Sequence, residues 1–238
     1  DPKRRHIHKA SVTDRLLHHA IFRVLAPIYE RRFIFDSYSS RTGKGTHKAH
    51  ARFHDFAWKL SRNNSRDVWV LKCDIRKFFD SVNHAILIRT LKKVIDDDKV
   101  MHLLENIIHS FETRPGNGIP LGNLTSQLFS NVYLDIFDQY IKRELKITYY
   151  IRYADDFVIL DPDRSKLEGV LTKLSEFLMK ELSLETHPSK VYFRKFSQGI
   201  DFLGYVIFPY HSVLRTKTKA RILRKIRLVL LFLVIINS

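Results

Sequence analysis

A single cysteine, Cys73, in 238 residues leaves no partner for an intramolecular disulfide and no thiolate cluster for a zinc site, which fits a reducing cytosol. The 12 histidines form no HExxH pairing, so the signature of a helix-borne zinc hydrolase is missing. The longest apolar run, residues 228–236, falls far short of the roughly 20 residues a bilayer-spanning helix needs, and a membrane protein is not expected. There is no internal repeat and no low-complexity tract. Acidic residues are in deficit, 25 against 41 Lys and Arg, for a net charge of +16. The chain opens on Asp1, so its N-terminus is expected to be trimmed or absent. What is present is a core: 45% hydrophobic and 28% charged residues argue against long disorder and for one large domain or two subdomains.

The positive charge is concentrated at the ends. Residues 1–60 carry 13 basic and 5 acidic side chains and residues 187–238 carry 10 and 1, leaving 18 basic and 19 acidic between them. A nearly neutral middle between strongly basic flanks suits a polyanion partner, while a merely soluble basic surface is the alternative.

Leu16, Leu17, Ala20, Ile21, Val24 and Leu25 recur at helical spacing behind the caps Ser11 and Thr13 and ahead of Pro27. A second helical face follows at Ala49, Phe53, Phe56, Ala57 and Leu60, across a basic, Gly-containing loop. Residues 68–75 alternate like a strand ending on Asp74, and helical patterns over 85–95 and 100–110 follow. A Pro/Gly-rich turn then leads to a long helix with Leu128, Val132, Ile136, Tyr140 and Ile141 on its stripe. Two strand-like runs, 147–153 and 157–160, enclose Ala154, Asp155 and Asp156 as a hairpin. A helix over 167–182 and strands near 190–193 and 202–208 complete the order β-α-β-β-α-β. This is an α+β pattern of the split β-α-β kind, in which the third strand inserts between the first two, antiparallel to the first. Asp74, Asp155 and Asp156 then converge. Like charges held together need cations or protons, and oxygen ligands of this kind suit two Mg2+ ions in phosphoryl transfer, with Mn2+ able to substitute. A pair of solvated turn aspartates is the bland reading.

Tyr153-Ala154-Asp155-Asp156, with Leu71-Lys72-Cys73-Asp74-Ile75-Arg76-Lys77-Phe78-Phe79, resembles the palm of reverse transcriptases. Gly118-Ile119-Pro120-Leu121-Gly122-Asn123-Leu124-Thr125-Ser126-Gln127 is similar to the form found in diversity-generating retroelements; most other relatives have glutamine where Leu121 stands. Further matches run through Asp36-Ser37-Tyr38, Lys44-Gly45-Thr46-His47 and Gly199-Ile200-Asp201-Phe202-Leu203-Gly204-Tyr205, covering nearly the whole chain. Ala154, often methionine in that subgroup, and Thr186-His187, where asparagine is common, depart from the pattern without removing a ligand.

The resemblance implies a right-hand polymerase. Residues 1–66 are the fingers, and 67–208 the palm, with inserted finger helices, a primer-grip hairpin and sheet helices on one face. Residues 209–238 are the start of a truncated thumb or a divergent tail. Asp74 and Asp155 are the implied metal ligands, with Asp156 and the Ile75 carbonyl completing the site. Arg41 and Lys44 are implied for the triphosphate, against plain surface solvation, and Lys190 as general acid toward pyrophosphate, against a simple phosphate contact. Phe79 is implied to exclude a 2′-hydroxyl, against core packing. Leu121 and Gly122 border the nucleotide and templating base. Arg15, Gly204 and Tyr205 are implied in nucleic-acid contact, with a salt bridge the alternative for Arg15.

The expected partners are an RNA template, a DNA or RNA primer, deoxynucleoside triphosphates and a small helical accessory protein, in the cytoplasm of a bacterium or archaeon or encoded by a phage. The expected activity is RNA-directed DNA synthesis, error-prone at template adenines. A group II intron or defence-related reverse transcriptase is the enzymatic alternative. A non-catalytic RNA-binding module is the other, although such modules place aromatics, not aspartates, on the sheet.

Overall fold

The computed structural model describes residues 10–236, with side chains to 229; residues 1–9 of the expected fingers lie outside that range. The chain opens with α1 (Val12–Glu30) and α2 (Thr46–Leu60). Ser11 caps α1 by accepting from the Asp14 amide, as the sequence suggested. Two expectations for α1 are corrected. Pro27 lies inside the helix because Tyr29 beyond it is still buried, so packing outweighs the backbone hydrogen bond that proline forfeits. The buried stripe is His18, Ile21, Leu25 and Tyr29, whereas Leu16 and Val24 are exposed, since Leu16 falls opposite that stripe and Val24 to one side of it. His18 fixes the helix against the core through a hydrogen bond with Thr125 at 2.9 Å.

The main sheet contains β1 (Trp69–Asp74), β2 (Tyr150–Tyr153), β3 (Asp156–Asp161) and β4 (Tyr192–Lys195) in the order β2-β3-β1-β4. β3 lies between β1 and β2 and is antiparallel to both, which is the split β-α-β arrangement. The connection from β1 to β2 runs through α3 (Phe78–Ser81), α4 (His84–Lys92), α5 (Asp98–His109) and α6 (Leu124–Gln139), whose last turn widens into a π-helix at Tyr140–Glu144. α7 (Arg164–Leu182) links β3 to β4.

The helices between β1 and β4 lie on one face of the sheet, as expected of the palm, and α2, from the expected fingers, covers the other. Leu71, Cys73, Phe157 and Ile159 enter a core shared with α1, α6 and α7, and the alternate residues Val70, Ile151, Val158 and Leu160 pack against Phe53, Phe56 and Ala57 of α2. Strand residues buried on both faces explain why residues 157–160 of β3 read as a continuous apolar run.

A second sheet, β5 (Ile200–Phe202), β6 (Tyr205–Ile207) and β7 (Ser212–Leu214), includes a third strand the sequence did not announce. Gly204, with φ +88°, makes its first turn, and its carbonyl accepts from the Arg215 amide at 2.9 Å. Together with the ion pair between Arg215 and Asp201, this anchors the start of α8 (Thr216–Ile236). Lys217, Lys219, Arg221, Arg224, Lys225 and Arg227 of α8 are all exposed.

Candidate active site

The register of β1 and β3 sets Asp74 opposite Asp156. The Ile75 amide donates to the Asp155 carbonyl at 3.1 Å, closing the end of β1 onto the β2–β3 turn. The loop before β4 is stitched to the same point, its His187 amide donating to the Asp74 carbonyl at 2.7 Å. It delivers Lys190, whose Nζ donates to Asp74 Oδ2 at 2.6 Å. From inside the sheet, Lys72 reaches Asp156, Nζ to Oδ1 3.6 Å; it lies two residues from Asp74 and therefore on the same face.

Burial pushes the Asp155 carboxyl up to about 6, helped by repulsion from Asp74 and Asp156. Asp156 is raised as well, by burial first, with Lys72 opposing. Carboxylates in this state gain from a nearby cation, and a donor set made of hard oxygens fits divalent ions of the magnesium type.

The turn is supported from beneath by a cluster that sequence reasoning missed. Ala154 adopts φ +54°, a left-handed conformation that costs a residue with a Cβ about 1–2 kcal/mol. Arg152 Nη1 donates to its carbonyl at 3.2 Å. The Arg152 guanidinium and the Asp138 carboxylate are both fully buried and pair in a fork, Nε to Oδ1 at 2.8 Å and Nη2 to Oδ2 at 2.6 Å. The Tyr150 hydroxyl donates to Asp138 Oδ1 at 2.6 Å and Asn131 Oδ1 accepts from Arg152 at 3.2 Å. The available signal was a basic residue in phase with Tyr150, on the core side of a strand, which requires a buried acid nearby.

Other expected residues are placed as follows. Arg41 is corrected: its guanidinium is buried and held by Glu30, with Nη2 to Oε1 at 2.7 Å, and by the Ile34 and Ser37 carbonyls. It therefore locks α1 to the basic loop and is not free for a phosphate. Lys44 donates to the Phe35 carbonyl at 2.7 Å and sits 3.4 Å from the centre of the Phe35 ring. Phe79 is half-buried, edge-on to Phe78, and its carbonyl accepts from the Ile119 amide at 2.8 Å; this ties it to the segment leading to Leu121 and Gly122, which turn before α6. Arg15 is exposed on α1. Tyr205 packs 4.9 Å from His50, ring centre to ring centre. The structure thus gathers Asp74, Asp155, Asp156 and Lys190, and leaves Arg15, Arg41, Gly204 and Tyr205 outside that group.

Residues 1–207 match the family model described as reverse transcriptase (RNA-dependent DNA polymerase). The chain belongs to the reverse transcriptase family. Among proteins similar to this reverse transcriptase, YkfC of Escherichia coli is 26% identical over 85% of the chain and 62% of its own length. The group II intron-encoded protein LtrA of Lactococcus lactis is 23% identical over 82% of the chain and 43% of its own length. The chain thus spans less than two thirds of these relatives. Its fold is similar to that of apo telomerase from Candida tropicalis, with a TM-score of 0.64 at 13% identity over 84% of the chain and 45% of the telomerase. Telomerase from Candida albicans with a fragment of telomeric RNA gives 0.62 at 12% identity over 84% of the chain and 37% of that protein. Reverse transcriptases work with divalent metal ions. Among the described residues, no helix is long and apolar enough to cross a membrane.

Proposed function

We propose that this reverse transcriptase carries the catalytic core of an RNA-directed DNA polymerase, extending a DNA or RNA primer on an RNA template with deoxynucleoside triphosphates. The observation that carries the reading is the convergence of Asp74, Asp155 and Asp156 at the end of β1 with Lys190 held on Asp74. Asp74 and Asp155, with Asp156 and the Ile75 carbonyl, would hold two Mg2+ ions. When bound, these supply Lewis-acid stabilisation of the phosphates and an activated 3′-hydroxyl. Lys190 brings an ammonium donor to the leaving pyrophosphate, Phe79 bounds the sugar, and Leu121 and Gly122 border the base. Residues 1–66 serve as fingers, 67–208 as palm and 209–238 as the start of a thumb. Arg15, Gly204, Tyr205 and the exposed cations of α8 then face nucleic acid.

Primer extension on a primed RNA template with Mg2+ tests this. Asp74→Ala or Asp155→Ala should drop incorporation to background, more than the roughly 10–100-fold cost of losing an outer support of a metal site, with RNA retention unchanged. Extension retained by either purified variant refutes the assignment.

Leu121-Gly122-Asn123-Leu124-Thr125-Ser126-Gln127 supports the diversity-generating type, with a helical accessory protein as partner. An apolar Leu121 cannot supply an amide's hydrogen bonds to the nascent pair, and a lost hydrogen bond of about 1 kcal/mol changes selectivity several-fold. Leu121→Gln should therefore lower misincorporation at template adenines; an unchanged adenine error frequency in an active variant rejects it. Similarity to LtrA favours a second reading, an intron-encoded enzyme, for which errors would show no adenine bias.

A further inference from the structure

Within the β1–β2 connection, three side chains converge that the polymerase reading does not use. His84, at the start of α4, is buried; His109, at the end of α5, and Glu112, just beyond it, are exposed. Their donor atoms lie within 4.8 Å of one another, and no other group of three or more His, Cys, Asp or Glu among the described residues gathers this closely. The two Nδ1 atoms are 3.3 Å apart, and His84 Nδ1 lies 3.8 Å from Glu112 Oε1.

A second observation concerns the far side of the buried ring. His84 Nε2 is 2.7 Å from the Gly118 carbonyl, which can only accept, so the ring carries its proton on Nε2 and turns the Nδ1 lone pair toward His109 and Glu112. Metal-ligating histidines are oriented in this way, their other nitrogen donating to a carbonyl or carboxylate. Gly118 is fixed in turn. With φ +112°, a Cβ there would meet Thr113 Oγ1 at 2.8 Å, so the carbonyl is set by a turn that requires glycine. Glu112 Oε1 is oriented by the Gly116 amide at 3.1 Å. Two nitrogens bound to one tetrahedral zinc at 2.0–2.1 Å stand about 3.4 Å apart, close to the spacing seen here. A cleft of about 610 Å3 bordered by His84, His109 and Asn117 opens to solvent beside them and gives an ion a way in.

We propose that His84, His109 and Glu112 form a zinc site with water as fourth ligand, separate from the catalytic aspartates. Two imidazoles and one carboxylate suit Zn2+ better than Mg2+, which prefers all-oxygen octahedra and sheds water reluctantly. A bound ion would clamp α4 and α5 to the loop before Gly118, whose amide donates to the Val82 carbonyl while Ile119 donates to that of Phe79. The site therefore braces the segment that carries Phe79 and Leu121.

The test is zinc content and thermal midpoint of the full chain in saturating Mg2+, with Zn2+ as the probe. His84→Ala risks the fold, so the exposed ligands are changed instead. The parent should retain one zinc per chain and rise in midpoint on zinc addition, and His109→Ala and Glu112→Gln should lose both responses. Asp155→Asn should keep both, because zinc held by the catalytic aspartates would be lost there instead. Co2+ in place of zinc should give a visible tetrahedral absorption band in the parent that His109→Ala abolishes. A parent without zinc, a His109→Ala variant with the parent's stoichiometry, or zinc lost in Asp155→Asn overturns the proposal.

Discussion

Asp138→Asn is the substitution whose effect the structure constrains most tightly. Both carboxylate oxygens of Asp138 are occupied by donors, the Tyr150 hydroxyl and Arg152 Nε on Oδ1 and Arg152 Nη2 on Oδ2. An amide in the same space must turn an N–H toward at least one of them. It also leaves a guanidinium of 0% exposure with no compensating charge. Breaking a buried pair from one side costs about 3–5 kcal/mol. At roughly 2–4 °C per kcal/mol for a chain of this size, the melting point should fall by about 6–20 °C.

The pair also holds the Ala154 carbonyl, so stability and turn geometry can be separated. The triple change Asp138→Leu, Tyr150→Phe and Arg152→Met removes both charges and the hydroxyl that would otherwise be stranded. It should recover most of the stability, since well-packed apolar replacements of buried pairs are often neutral or better. It cannot restore the hydrogen bond from Arg152 to Ala154, so primer extension should remain depressed while the melting point returns. A thermal scan and an extension assay on the same preparations decide the matter. Asp138→Asn melting within about 2 °C of the parent, less than 1 kcal/mol on that scale, refutes the reasoning about the pair, and a triple variant of full activity refutes the link to the turn.

Two further outcomes follow from other sites. Phe79→Ala should raise ribonucleotide use relative to deoxyribonucleotide in a competition assay; a loss of both activities with unchanged preference would mark the ring as core packing alone. Asp135 is pushed up to about 6 by burial first, with Asp138 adding to it while the Gln139 hydrogen bond and Arg152 oppose. Because the folded carboxyl holds its proton more tightly than the unfolded one, its favourable contribution is complete below about pH 4 and is lost as the pH rises through 6. Discounted for partial exposure, Asp135→Asn should be more stable than the parent by the order of 1–2 kcal/mol at pH 7.5 and equal to it at pH 4. A constant difference across that range in denaturant titrations refutes the assignment.

The convergence of the three aspartates was legible because strand parity and topology are nearly enough to specify it. Alternation over 68–75 and a short turn between two apolar runs bring Asp74 to Asp155 and Asp156 once the third strand is inserted between the first two. Lys190 was legible only through family resemblance, since nothing in residues 183–191 signals where that loop returns. Lys72 could have been read from parity with Asp74. Arg41 could not, because a guanidinium in a Ser- and Gly-containing loop looks solvent-bound until Glu30, eleven residues earlier, is seen to face it. Pro27 misled for a related reason: local propensity ends a helix there, whereas the burial of Tyr29 and Phe33 is a tertiary fact.

The placement of charge connects these pieces. Asp74 ends β1, which is flanked by β3 and β4, and its neighbourhood is pinned from both sides by Ile75 to Asp155 and His187 to Asp74. On a mobile loop, three like charges would move apart and their titration would stay ordinary. On paired strands they cannot, and burial first, with that repulsion added to it, raises the carboxyls of Asp155 and Asp156. Lys72 and Lys190 offset part of it from opposite sides. The rest favours whatever additional positive charge the site accepts. Had the surplus of 16 basic charges been spread evenly, it would have neutralised this cluster. It lies in the flanks instead, where the cations of α8 are exposed, and residues 61–186, with 18 basic against 19 acidic side chains, leave the acidic turn without that compensation.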